Sequence, residues 1–259
     1  MKAFRFCVVM AAAACVVAPA SFGQHMFGGP RDYGTAEMAK IFGKNQAFSA
    51  AADMSVVDAQ MRSNLQMEMN YAFLKGDLRT DLDMSTMKGA KMPPAAVAQM
   101  KQMGMDKVAT IYQGDKKVMY MMYPGLQSYC IVTPPQASDA EKAEAKAKVD
   151  VTEVGKETVD GHPCVKNKVV ITTDAGSQHE MFTWNATDLN NFPIKTEMKT
   201  GNSTITTHFH DIKLTAPDAS LFTPPSDYKS YPNMQEMMMA NMAHMMPPDA
   251  GHPGGPPSE

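Results

Sequence analysis

The sequence predicts a mainly β, α+β fold: a strongly curved antiparallel sheet of about eleven strands forming a half-barrel, with a few lidding helices. Two observations predict it. Apolar and polar residues alternate with period two in one segment after another, separated by Gly-, Pro- and Asn-containing turns. Helix signals occur only near the start, in two long connections and near the end. That many consecutive antiparallel strands around so few helices must curl, because a twisted open sheet of this size does not stay flat.

Taken in order, the chain opens with Lys2 and Arg5, then an apolar run from Phe6 to Val17. That run is about half the ~20 residues that a membrane span needs. Small residues follow at Ala18-Pro19-Ala20 and at Ser21-Phe22-Gly23, so residues 1–23 read as a secretory signal cleaved at one site or the other. A lipoprotein reading would use Cys15, but Ala12-Ala13-Ala14 before it matches the usual Leu-led box poorly. The expected location is the periplasm, with association at the outer membrane as a variant. Removing Lys2 and Arg5 from 24 basic residues leaves 22 against 27 acidic, a net charge of −5. No concentrated basic face results, so nucleic acid is not an expected partner. No later stretch is apolar enough to span a membrane.

Residues 24–45 form a Gly- and Pro-rich arm followed by a short helix over Thr35 to Gly43, with Met38, Ile41 and Phe42 on one side. The β domain is expected over 46–230. Its first strand lies near Gln46 to Gln60. Next comes a hairpin in which Met67, Met69, Tyr71 and Phe73 share one face, and Leu78, Thr80, Leu82 and Met84 share one face of the return strand. Pro93-Pro94 opens a helix running to about Gln102, with Gly104 as its stop. Strands at Lys107 to Gln113, Lys117 to Tyr123 and Leu126 to Thr133 are separated by Gly114-Asp115 and Pro124-Gly125. Ser138 to Lys148 has the capping pair Ser138 and Glu141, with Glu144 four before Lys148, and reads as a solvated helix. Five strands remain: Asp150 to Val159, Pro163 to Thr173, Gln178 to Trp184, Pro193 to Lys199 and Ser203 to Ile212. A Met-rich helix at 231–246 and a Pro/Gly-rich disordered tail at 247–259 close the chain.

Several phrases resemble one family. Gly155-Lys156-Glu157-Thr158-Val159-Asp160-Gly161-His162-Pro163-Cys164 is similar to an entry hairpin of carrier-type periplasmic proteins. Gly114-Asp115-Lys116-Lys117-Val118-Met119-Tyr120, running to Tyr123-Pro124, resembles a second of their hairpins. Phe192-Pro193-Ile194-Lys195, Gly201-Asn202 and Asp218-Ala219-Ser220-Leu221-Phe222-Thr223-Pro224-Pro225 are similar to the same group. Together, over Phe48 to Tyr228, they resemble the outer-membrane lipoprotein carrier superfamily (LolA/LolB-like), in a branch of exported proteins. The resemblance implies an eleven-stranded half-barrel with helices over an apolar cavity. In characterised members that cavity takes the acyl chains of lipoproteins. The Met-rich inserts and tail depart from the carrier pattern, so the resemblance speaks to fold more than to cargo.

The residues themselves offer large apolar groups as cavity lining: Tyr112, Tyr120, Met121, Met122, Tyr123, Phe182 and Trp184. Thioethers and aromatics adapt to irregular acyl chains, while for any one residue an ordinary filled core is the plainer reading. Met234, Met238, Met242 and Met245 recur at helical spacing and read as a lid docking over the half-barrel. Met234, Met237, Met238, Met239, Met242, Met245 and Met246, with His244 and His252, would suit copper(I) as an alternative. His208 and His210 share a strand face and read as solvated. Cys130 and Cys164 either form a disulfide or stay as buried thiols in neighbouring strands. The chain contains no Gly-x-Ser-x-Gly elbow, His-Glu-x-x-His or phosphate loop, and Asp81 with Asp83 sits on a polar hairpin face. The expected function is therefore non-catalytic, with no cofactor or resident metal. It is a periplasmic binding or carrier module for lipid or lipoprotein acyl chains, with an envelope protein as a further partner. A Met-rich copper protein and an assembly or stress factor acting through protein contacts are the alternatives.

Overall fold

The computed structural model describes residues 42, 45–58, 63–89, 94–116, 118–132, 148–172, 178–200 and 202–245. The signal segment, most of the N-terminal arm with its helix, the Ser138 helix up to residue 147 and the 247–259 tail lie outside the described residues. Lys148 is described, and it opens a strand.

One curved, unclosed sheet forms the domain. Its strands are β1 (Ala47–Asp58), β2 (Ser63–Leu74), β3 (Asp77–Asp83), β4 (Lys107–Gln113), β5 (Val118–Tyr123) and β6 (Ser128–Val132). They continue as β7 (Lys148–Val159), β8 (His162–Thr172), β9 (Gln178–Ala186), β10 (Phe192–Thr200), β11 (Ser203–Lys213) and β12 (Lys229–Tyr231). The spatial order is β12-β6-β5-β4-β3-β2-β1-β11-β10-β9-β8-β7. All eleven expected strands are present. The twelfth, β12, has only three residues and pairs in parallel with β6, through Tyr231 opposite Cys130. Three residues show no alternation to read, which is why it escapes a periodicity argument. The β2–β3 and β7–β8 hairpins turn on Lys75-Gly76 and Asp160-Gly161, where both central residues have positive φ. That geometry matches the right-handed twist of the paired strands.

The helices are α1 (Pro94–Gln102) and α2 (Met234–Met245). Asn233 caps α2: its Oδ1 accepts from the Glu236 amide at 2.9 Å, and Glu236 Oε1 accepts from Asn233 Nδ2 at 2.8 Å. Past α1, Gly104 has φ +67 and abuts Gly125, so closely that a Cβ on Gly104 would lie 2.7 Å from the Gly125 carbonyl. Gly104→Ala is expected to destabilise the fold by about 1–3 kcal/mol in urea denaturation. Gly155→Ala, where a Cβ meets nothing within 4 Å, should stay within about 0.5 kcal/mol of the wild type.

The densest packing lies at one end of the sheet. Phe42, Phe48, Phe73, Phe192 and Phe209 form one aromatic cluster, with Phe48 and Phe192 ring centroids 4.9 Å apart and edge-on. Register shifts at Pro193/Lys195 and at Ser49/Ala51 interrupt strict alternation here. Cys164, Trp184 and Ala186 consequently join the same cluster.

Candidate ligand-binding face

In antiparallel strands, directly opposite residues share a face, so the register can be followed across the sheet. Starting from the β7 edge, Val151 faces Val169, Val169 faces Met181, Met181 faces Met198 and Met198 faces Ile205. Ile205 faces Val56, and Val56 faces Leu65. Seven strands thus contribute one apolar side chain each to an unbroken cross-strand row. Val169 is buried, but Val151 is 49% exposed and the other five are only half-buried.

The row beneath it is mostly polar: Asn167, Thr183, Thr196 and Thr207, followed by Met54 and Met67. Its polar groups are largely satisfied internally. Asn185 Oδ1 accepts from Thr183 Oγ1 at 2.6 Å and from Asn167 Nδ2 at 3.1 Å. The apolar row contains no ionisable side chain, and the row beneath it carries one, Glu153 opposite Asn167 at the β7 edge.

The same face continues through Met69, Leu82 and Val108, then through Thr80, Thr110, Met121 and Cys130. Here α2 lies over it: Met237 is fully buried among Tyr123, Cys130 and Tyr231, with Val108, Met121 and Met234 around them. The apolar groups of this face fall into four packed clusters: the aromatic one of Phe48, Phe73 and Phe209, and smaller ones around Met237, around Met54/Met67/Met69 and around Val169/Ile171. Tyr71 packs against both the aromatic cluster and the Met54/Met67/Met69 cluster.

Two tyrosines on this face donate to a thioether two residues earlier. Tyr71 Oη lies 3.4 Å from Met69 Sδ, and Tyr123 Oη lies 3.8 Å from Met121 Sδ. Burial pushes both phenols up to about 12, so each stays neutral at any physiological pH. Among the described residues no group of three or more His, Cys, Asp or Glu side chains is placed to hold a metal ion. No described helix is long and apolar enough to cross a membrane.

Residues 53–192 match the family described as Domain of unknown function (DUF4412), more than half of the chain. The chain belongs to this DUF4412 family. No curated protein matches it. Among solved structures, it is similar to LprF from Mycobacterium bovis, at 13% identity over 77% of this chain and 98% of that one, with a TM-score of 0.38. It is also similar to the LolA superfamily protein NE2245 from Nitrosomonas europaea, at 11% identity over 71% and 93%, with a TM-score of 0.34. Lipoprotein LppX from Mycobacterium tuberculosis is a third, at 12% identity over 72% and 94%, with a TM-score of 0.35. The carrier superfamily that the sequence phrases resemble is represented among these structures.

Within the DUF4412 chain, the residues expected to line a cavity divide between the two faces. By register, Tyr112, Met121 and Tyr123 lie on the face that carries α2, together with Met119 and Cys130. Tyr120, Met122, Phe182 and Trp184 lie on the back. Tyr120 and Met122 are filled core there, packed with Ala109 and Ile111 under Phe222 and Tyr228. Arg79 and Gln113 pin that covering segment by donating to the Leu221 and Phe222 carbonyls at 3.1 and 2.8 Å. Trp184 is sandwiched by Lys166 and Lys195, 4.6 and 4.4 Å from its ring centre, and its Nε1 donates to Glu157. Phe182 is half-buried beside Lys166. Two concavities, of about 410 Å³ at Ser49, Glu68, Arg79 and Lys213 and about 200 Å³ at Asp160, His162 and His210, are lined by none of the seven.

On α2, Met234 is half-buried against the sheet cluster and Met238 is half-buried, while the side chains of Met242 and Met245 lie outside the described set. Met237 is the residue that enters the cluster, flanked by Met234 and Ala240. His208 contacts Asp160, and His210 lies 2.8 Å from Asp211.

Of the two alternatives for the cysteines, the disulfide is corrected and the buried thiols are found. Cys130 on β6 and Cys164 on β8 are both free and buried, and eight strands lie between theirs in the sheet order. They are not in neighbouring strands either. Burial pushes the Cys130 thiol up to about 11 and raises Cys164 as well. Neither should react with Ellman's reagent in the native protein at pH 8, and both should react in denaturant; rapid native labelling would contradict this placement. The linkage has a definite sign. Stability is undiminished below the ordinary thiol pKa and declines as pH rises above it, because the unfolded thiols ionise first.

Proposed function

We propose that this DUF4412 protein is a non-catalytic, exported carrier that holds an acyl-bearing lipid or lipoprotein along the apolar row of its helix-bearing face. The observation that carries the reading is the row itself: seven strands each present one neutral, apolar side chain in register, and all but Val169 are incompletely buried. Such a surface has no structural use unless something covers it. An extended acyl chain fits it chemically, because it requires no placed polar group, and Asn167 and Thr183 of the row beneath are already held by Asn185. Burying about a dozen methylenes yields ~10 kcal/mol gross. Association and ordering costs reduce this to roughly micromolar binding.

A titration with dansyl-undecanoic acid tests the reading. Met198→Arg and Ile205→Arg place a charge in the row at half-buried positions and are expected to weaken binding at least about tenfold. Thr206→Arg points to the opposite face and should leave binding unchanged. Equal binding by all three variants and the wild type would contradict the proposed location.

A further inference from the structure

The apolar row ends at β7, one of the two edges of the sheet. Among the described residues nothing pairs with the outer edge of this twelve-residue strand. Val151 and Val154, each 49% exposed, are two of the few large apolar side chains on the described surface. A long uncapped edge is a template for another strand. The composition of β7 indicates which one.

A bulge sets Val154 out of register between Glu153 and Gly155. If a second β7 pairs antiparallel with the first, opposite residues must share a face and Val154 must drop out of the ladder. These two conditions restrict the two-fold axis to a few positions. With the axis on Glu153, that carboxylate opposes its own copy, and Asp150 opposes Glu157. With the axis on Val151, no ion pair forms. With the axis on Gly155, Glu153 opposes Lys156, a pair that each strand already makes within itself at 3.7 Å. With the axis on Thr152, Lys148 opposes Glu157 twice, Val149 opposes Lys156, Asp150 opposes Gly155, Val151 opposes Glu153, and no like charges stand directly opposite. Glu157 is already held by Trp184 Nε1 and by Lys166 at 3.8 Å. Lys148 pairs with Asp150 on its own exposed strand, at 3.0 Å. At Gly155 a Cβ would meet nothing within 4 Å, so the bulge leaves room for an incoming strand.

We infer that β7 is a homodimer edge, pairing antiparallel with β7 of a second copy about a two-fold axis at Thr152. The axis is perpendicular to the sheet, so both helix-bearing faces lie on the same side. Val151 of one copy then stands opposite Glu153 of the other, and the two Val151 side chains are diagonal neighbours on the shared face. The inference rests on the charge pattern and exposure of β7 and stands whether or not the face carries lipid.

Directly opposite residues across an antiparallel pair have Cα atoms about 4.5–5.5 Å apart, within disulfide range. Thr152→Cys in the full exported chain should form a covalent dimer under diamide far faster than Asp150→Cys, which opposes Gly155 and not itself. In sedimentation equilibrium at about 10–200 μM the wild type should show monomer and dimer, and Lys148→Glu should raise the dissociation constant about tenfold. A monomer at every concentration would overturn the inference. So would a dimer in which Thr152→Cys cross-links no faster than Asp150→Cys.

Discussion

Replacing Phe48 with alanine is expected to destabilise the protein by about 3–5 kcal/mol, measured by urea denaturation at neutral pH. Phe48 is fully buried. Its ring meets Phe42, Phe73 and Phe192 with centroids 5.0, 5.6 and 4.9 Å away. These rings come from separate strands and a preceding segment, and β-sheet backbone cannot collapse to fill the gap. Loss of the ring therefore removes both its transfer free energy and its contacts. Because the cluster spans β1, β2, β10 and β11, the two halves of the sheet should unfold together. A loss under about 1 kcal/mol would mean that this end is not the core.

The second large effect is local. Met237→Asp places a carboxylate in a site with no exposed surface, among Tyr123, Cys130 and Tyr231. An unpaired buried charge costs several kcal/mol. Helix α2 packs at the β6/β12 edge of the sheet, with Met237 also against Tyr123 of β5, so the expected response is undocking and not global unfolding. The urea midpoint should change little, while far-UV circular dichroism loses the signal of about one short helix. If α2 acts as the lid, binding of dansyl-undecanoic acid should rise several-fold in Met237→Asp and equally on deletion of Met234 to Met246. Unchanged or weaker binding would count against the lid.

Strand positions were legible because alternation is local: Met67, Met69, Tyr71 and Phe73 declare a face without reference to any other segment. The row was not legible. Met198 visibly alternates with Lys195, Glu197 and Lys199, but its meeting with Met181 and Ile205 depends on register. Register depends on bulges at Glu153/Gly155 and Pro193/Lys195 that no residue pattern announces. Met198 and Ile205 each show alternation in the sequence, but nothing in it brings them together with Val169 and Met181. Tyr120 and Met122 drew notice by size, although a segment far away in sequence, Phe222 to Tyr228, fills the space beside them. The tail shows a related ambiguity. With Met237, Met238 and Met239 consecutive, helical spacing cannot choose a buried face, and the contact with β6 and β12 selects Met237.

The most direct test of the carrier account is a native mass spectrum of the protein purified from its own cells without detergent, beside that of Ile205→Arg. The account predicts a lipid-sized adduct on the wild type, lost on delipidation and absent from the variant. A bare wild-type mass, or an adduct that Ile205→Arg leaves in place, would contradict it.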